Sequence, residues 1–471
     1  MARETSTGGR TATTGVIPGA YALSVGNPNT PLPEGWEWTR LTDVARLESG
    51  HTPSRSHPEY WGGTVPWIGI RDATGNHGQT IYDTEQKTNN LGIANSSARI
   101  LPVDTVCLSR TASVGYVVMM GVPMATSQDF VNWVCSDQLN PHFLKYILLL
   151  EYPSFKMFSM GTTHQTIYFP EVKAFHIAMP SRRVQDQIVD ILGALDEQID
   201  LNRRMNKALE AAAQATFKDW FVDFGPVRRK MTGATDPVVI MGGITPNPSR
   251  AAKLADIFPA DFADDELPLT WSEGTLARLA LINSESWRAS NHPVEVEYVD
   301  LSNTKWGAIE STARLAWEAA PSRARRIARK GDSIIGTVRP GNGSYAYVGR
   351  DGYTVSTGFA VLRPKRGIYS DTIYVAATAA GNIARLANLA DGHGGAYPAI
   401  NPDVVAATPF PVVPDALLEA FSTFVSPLRA KIEQGKVENI SLSEARDYLL
   451  PRLFSGAVRI NNAEHLLEQV E

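Results

Sequence analysis

Cysteine is nearly absent from this 471-residue chain, which has only Cys107 and Cys135. Two thiols 28 positions apart match no metal-clip spacing and cannot staple a fold of this size. The expectation is a reduced, cytoplasmic setting. No run of eighteen apolar residues occurs, so no membrane-spanning helix is expected, and the first residues lack the apolar core of a secretory signal. Motifs that declare chemistry are also missing. There is no GxxxxGK[ST] phosphate loop and no HExxH zinc pair. A formal net charge of −5 gives no global attraction to nucleic acid, although binding needs only a local basic face. Residues 32–181 hold 10 Lys+Arg against 13 Asp+Glu, while residues 267–414 hold 15 against 12. The second half is the more cationic, helped by SRARRIARK at 322–330, which reads as a solvated helix face or a phosphate-contacting one.

What the chain does have is itself, twice. LPEGW at 32–36 is echoed by LPLTW at 267–271, and WIGIRD at 67–72 by YVDLSN at 298–303. DTVCLSRT (104–111) parallels DSIIGTVR (332–339), and SQDF (127–130) parallels STGF (356–359). GTTHQTIYFPEV (161–172) parallels GHGGAYPAINPDVV (392–405). Five pairs in one order, each offset by about 228 to 235 positions, define an internal duplication. Short β-branched runs alternate with turn signals in both copies, which predicts mixed α+β units around a twisted sheet.

A heptad seam follows each copy. It runs through Ile188, Leu192, Leu195, Ile199, Asn202, Asn206, Leu209, Ala213, Thr216 and Trp220. It recurs 233 positions later from Phe421 to Leu453. Pro180-Ser181 and Pro414-Asp415 offer starts, and Gly225-Pro226 and Pro451 offer stops. A helix from Val184 to Phe221 is about 55 Å long. It must bury its seam, and the other copy's helix is the partner expected, antiparallel. Asn202, Asn206 and Asn439 interrupt the seam and are candidates for fixing its register.

The expected organisation has a flexible tail at 1–31, a first globular unit at 32–180 and a first spacer helix at 181–224. A connector at 225–266 leads to a second unit at 267–414, a second spacer helix at 415–456 and a C-terminal tail at 457–471. Two heads on a helical bar suit a target with two separated half-sites, or equally two protein partners.

Several segments carry a family resemblance: LPEGWEWTRLTDVARLESGHTPS (32–54), GTTHQTIYFPEV (161–172), MPSRRVQDQIVDILGALDEQIDLNRRM (179–205), FKDWFVDFGPV (217–227), IFPADFADDELPLTW (257–271) and ARDYLLPRLFSG (445–456). Together they resemble the specificity (S) subunit of type I restriction-modification systems. The resemblance covers nearly everything after residue 31 and is weakest in the second unit. There GHGGAYPAINPDVV replaces the usual polar tract, and VPDALLEAF lacks the familiar Glu-Gln pair. It implies two target-recognition domains that read a bipartite site on double-stranded DNA, with the helices as spacer. It also implies two methyltransferase (M) subunits acting on adenine N6 and restriction/translocase (R) subunits as partners. S-adenosylmethionine, ATP and Mg²⁺ would sit in those partners and no cofactor in this chain. An adenine methyltransferase needs an Asn/Asp-Pro-Pro-aromatic tetrapeptide, which is missing here.

Base readout requires side chains that reach groove edges from loops. The loops after the matched strands offer Arg110, Thr111 and Ser113 in the first copy, and Arg339, Asn342, Ser344 and Tyr345 in the second. A second pair of loops offers Thr163, His164, Gln165 and Tyr168, then His393 and Tyr397. Arg71, Asn303 and Lys305 follow the WIGIRD and YVDLSN strands. Two alternatives remain open: a scaffold that holds partners without reading DNA, and a Mg²⁺-dependent nuclease built on Asp72, Glu85 and Lys87.

Overall fold

The computed structural model describes residues 15–159, 165–392 and 398–458. The chain divides into two compact units. The first comprises Met1–Asp200 with Asn439–Glu471, and the second Leu201–Glu438. Both long helices, Arg182–Phe217 and Asp415–Phe454, are cut by this division, so each unit carries part of each helix.

In the first unit a five-stranded sheet has the order Ala45–Ser49, Phe130–Cys135, Val106–Ser109, Val117–Met120, Thr80–Ile81. Its middle strands VCLS and VVMM are buried at every residue, the pattern of a strand covered on both faces. Helix Pro141–Leu150 contributes Phe143 and Tyr146 to a cluster with Trp133 and with Ile188 and Leu192 of the first long helix. A smaller sheet pairs Trp61–Ile68 parallel with Ala125–Thr126 and antiparallel with Gln86–Thr88.

Residues 15–31 correct the expectation of a flexible tail. Ile17–Pro18 and Leu23–Val25 form strands, and the latter pairs antiparallel with Phe175–Met179. The reason is a buried carboxylate. Glu151, fully enclosed, accepts the backbone N–H groups of Ala20 (2.9 Å), Tyr21 (2.7 Å), Ala22 (2.6 Å) and Leu23 (3.1 Å). Composition hides this anchor, because the acceptor lies about 130 residues downstream.

The second unit rebuilds the same sheet. Its order is Ala280–Ile282, Phe359–Pro364, Ser333–Gly336, Tyr345–Tyr347, all antiparallel neighbours, as in the first four strands of its counterpart. Its second sheet also keeps a parallel pair, Glu295–Val299 with Tyr353–Ser356, matching Trp61–Ile68 with Ala125–Thr126. The duplication therefore extends to strand order and pairing direction. SRARRIARK is not a helix. Ala324–Ala328 is a strand paired with Tyr353–Ser356, and three arginines on it or beside it hold fixed partners. Arg323 reaches Asp300, Arg325 lies 4.3 Å over Trp317, and Arg329 pairs with Glu285 at 2.7 Å. Sheet pairing overrides the helix propensity of Arg and Ala.

The connector is also more ordered than expected. The first long helix ends in a π turn at Lys218–Val222, and Phe224 adopts a left-handed conformation (φ 55°). Gly225–Met231, Pro237–Ile240 and Pro248–Ile257 are helices. Their Val227, Ile240, Ala251 and Ala255 share a core with Trp220, Phe221 and Phe421. Arg229 clamps Asp219 through two hydrogen bonds of 2.9 and 2.8 Å. Pro451 does not stop the second long helix, which continues to Phe454.

Within each unit the two long helices run antiparallel. In the first, Asp196 meets Arg446 (3.1 Å) and Ile199 O accepts from Asn439 Nδ2 (3.4 Å). In the second, Glu210 meets the buried Arg429 (2.8 Å), and Asn206 lies against Gly435, where an added Cβ would come within 2.9 Å of its Oδ1. The seam residues Ile188, Leu192, Leu195, Ile199, Ala213, Trp220, Phe421, Val425, Ile432, Leu449 and Leu453 are buried. Asn202 is buried as well.

Replacing Glu151 by Ala strands several enclosed N–H donors and should cost about 3 kcal/mol in urea unfolding. Limited proteolysis should then cut near residues 15–25 in the variant and not in the parent chain.

Candidate nucleic-acid interface

The loops nominated from the sequence sit where a strand leaves the conserved sheet order and must turn sharply. In the second unit, strand Ser333–Gly336 gives way to a loop through Arg339 in a left-handed conformation (φ 46°), a 3₁₀ turn at Pro340–Asn342, and Gly343 (φ 72°). A non-glycine residue held there costs about 1–2 kcal/mol. The loop is over-determined by its neighbours. Arg339 N donates to Pro398 O (2.8 Å), Ile400 N to Thr337 O (2.9 Å), and Thr337 Oγ1 to Gly358 O (2.8 Å). Ser344 Oγ donates to Leu301 O at 3.1 Å. Residues 301–307, 337–345 and 398–400 thus form one cluster. Arg339 and Asn342 are exposed on it, Lys305 is exposed and Asn303 half-exposed, and Tyr345 is half-buried with burial raising its phenol pKa.

The first unit assembles the corresponding loops in the same way. Ile167 N donates to Arg110 O (2.9 Å), and Thr111 Oγ1 lies 3.2 Å from Thr166 Oγ1. Ser109 Oγ accepts from Tyr116 N (2.8 Å) and itself donates to Ser113 O, closing the turn. Gln165 and Tyr168 are exposed beside it. Arg110 is not a free arm. Its guanidinium stacks 4.7 Å over Phe169 and donates to Gln128 O (3.2 Å), and burial pushes its pKa down, partly opposed by Asp129. This places Arg110 between the loop and its support, with its planar face fixed. Arg71 stands apart from this group, on helix Ile70–Gly75, paired with Glu85 at 3.2 Å. Thr163, His164, His393 and Tyr397 lie outside the described residues.

The nuclease constellation is not assembled. Asp72 Oδ2 accepts from Gly69 N (2.8 Å) and Oδ1 from Glu85 N (2.8 Å), so both oxygens close local turns. Glu85 binds Arg71, and Lys87 binds Asp83 (2.9 Å). Among the described residues no group of three or more His, Cys, Asp or Glu side chains is placed to hold a metal ion. Sequence reasoning missed two features. Arg55 is stacked at 4.0 and 5.1 Å on Trp61 and Trp67, which only a bend in the chain brings together. The other is Trp306, 65% exposed at the tip of a hairpin. An aromatic followed by glycine between short strands was its signal.

Duplicated α+β units with equivalent polar loop clusters, joined in sequence by long helices, define the fold class. In this chain, residues 33–211, under half of its length, match the model of the type I restriction modification DNA specificity domain. It is 30% identical over 201 residues to the type I restriction enzyme MjaIX specificity subunit of Methanocaldococcus jannaschii, covering 42% of this chain and 46% of that protein. The match to this relative thus spans less than half of its length. Identity to the type I restriction enzyme HindI specificity subunit of Haemophilus influenzae is 26% over 364 residues, 68% of this chain and 77% of that protein. The fold is similar to the crystal structure of the type I restriction-modification system S subunit from M. genitalium, with a TM-score of 0.51 at 16% identity, over 91% of this chain and 97% of that one.

Changing Asp72 to Ala should lower unfolding free energy by about 1–3 kcal/mol, since two turn N–H groups lose their acceptor. Plasmid incubated with the purified chain and Mg²⁺ should stay intact. Cleavage that disappears in the variant would restore the nuclease reading.

Proposed function

We propose that this chain is the DNA sequence-specificity subunit of a type I restriction-modification complex. Each unit reads one part of a bipartite, asymmetric site on double-stranded DNA. The observation that carries this reading is the repetition of one loop cluster on equivalent strands of both units, the first of which lies within the matched specificity domain. The chain itself does no chemistry. It selects the site and positions two methyltransferase subunits for adenine-N6 methylation and restriction/translocase subunits for cleavage. S-adenosylmethionine, ATP and Mg²⁺ belong to those partners. A cytoplasmic location fits this role; among the described residues no helix is long and apolar enough to cross a membrane.

Exposed Arg339 and Asn342, with Tyr345 beneath them, present donors at the loop tip, and Arg110 presents a fixed guanidinium in the other unit. Such groups discriminate bases by bidentate hydrogen bonds worth about 1–3 kcal/mol each. Phosphate contacts fall to Lys305 and neighbouring cations. The helix register is assigned to Asn202, Asn206 and Asn439: Asn202 is buried, Asn206 packs on Gly435 and Asn439 donates to Ile199 O, contacts that a slipped pairing would lose. Helix length then sets the interval between the two half-sites.

Selection of duplexes from a random library by the full-length chain should yield a split motif with a fixed gap. Arg339→Ala should weaken binding by about 1–3 kcal/mol and relax one base position; unchanged affinity and preference would remove Arg339 from the interface. One extra heptad in each long helix, after Arg204 and after Val437, adds roughly 10 Å. The selected gap should then widen by about three base pairs, whereas an unaltered gap would show that the helices do not measure it.

A further inference from the structure

Thr304–Lys305 and Ala308–Ile309 form a minimal hairpin whose two turn residues are Trp306 and Gly307. Both have positive φ, 48° and 89°, the geometry of a two-residue turn that Asn-Gly or Asp-Gly fills at least cost. A bulky L-residue is an outlier there. Burial does not compensate for it, since the side chain is 65% exposed. Strain of this kind persists where the surroundings enforce it and clusters at functional sites.

The surroundings do enforce it. Trp306 N donates to Gly343 O (2.7 Å), Gly307 N to Tyr345 O (2.9 Å), and Lys436 Nζ to Gly307 O (2.9 Å). The indole lies across the bare Cα of Gly343, where an added Cβ would come within 2.5 Å of the ring. The edge of one ring meets Tyr345 at 6.0 Å between centroids. In the first unit the corresponding Gly115 also seats aromatics, but those are Tyr152 and the fully buried Phe155 of the core. Only the second unit's seat carries an aromatic that projects outward.

We propose that Trp306 is a base-stacking wedge: its indole enters a base-pair step of duplex DNA beside the bases read by the 337–345 loop. This rests on the DNA-reading function above and assigns a specific contact within it. The chemistry favours nucleic acid over a protein surface. Among the described residues from 301 to 345, Trp306 alone of the large apolar side chains is exposed. Its neighbours in the cluster are Lys305, Arg339 and Asn342, suited to phosphates and base edges. A rigid flat ring amid such groups is the arrangement that stacks on or between bases, partly unstacking one step. Specificity follows, because pyrimidine–purine steps open more easily than others.

The test uses the full-length chain and its selected duplex, with 2-aminopurine placed in turn at each base. Binding of the parent chain should brighten the probe at one step. Trp306→Asn, which suits the turn, should keep or raise the thermal midpoint, abolish that brightening and weaken binding roughly 5- to 100-fold. Trp306→Phe should retain much of both. Unchanged affinity and brightening in Trp306→Asn would overturn the wedge while leaving the DNA-reading function standing. A fall in thermal midpoint alongside affinity would assign Trp306 to the fold and overturn it too. Failure of the parent chain to bind any duplex would overturn both readings.

Discussion

Two long helices each carry an apolar stripe that water will not tolerate, and the rest of the molecule is organised by the need to cover it. The cover is mutual, and antiparallel in each unit, and polar pairs punctuate it. In the first unit Asp196 gathers Arg446, Lys145 and Tyr146. In the second, Arg429 lies buried between Glu210, Asp371 and the face of Tyr374. An apolar seam alone tolerates slippage by a heptad, whereas buried charges and amides do not, since a shifted register leaves them uncompensated. The stripe is buried along the pairing, and in the alignment seen its charged positions have opposite charges beside them.

Duplication then gives each unit the same sheet and, at the same strand ends, the same kind of loop. These loops are stiff. Left-handed Ala112 and Arg339, glycines at 115 and 343, and bridges from Thr111 to Thr166 and from Val338 to Ala399 hold them. A recognition surface gains from such rigidity, because ordering costs are met during folding and not at binding. The units differ where side chains project. Arg110 is locked against Phe169, whereas the second unit offers Arg339, Asn342 and the Trp306 hairpin to solvent. One scaffold thus carries different projecting groups in its two copies.

Much of this was legible in the residues, because repeats and heptads are patterns of local chemistry. The pairing of the two seams followed from the rule that an apolar face must be buried. Other features depended on distant partners. Residues 15–25 resemble a tail by composition and become strands because Glu151 awaits their N–H groups. SRARRIARK favours helix by propensity and becomes a strand because Tyr353–Ser356 pairs with it. Asp72 and Glu85 share a spacing with metal-binding carboxylates, yet turn N–H groups and Arg71 consume them. The nominated loops were identified in both copies by offset alone, while Trp306 escaped notice because its left-handed backbone is invisible in a residue list.

The amino-acid order by itself determined the duplication, the two α+β units and the antiparallel helices, since these rest on periodic burial, a property of residues near one another in sequence. Tertiary structure alone decided which cations are consumed by internal pairs and which face solvent, which loops join into one cluster, and where a strained aromatic is held outward. Those outcomes depend on contacts across dozens to hundreds of residues, where the energy of any one side chain is set by neighbours its own stretch of sequence does not name.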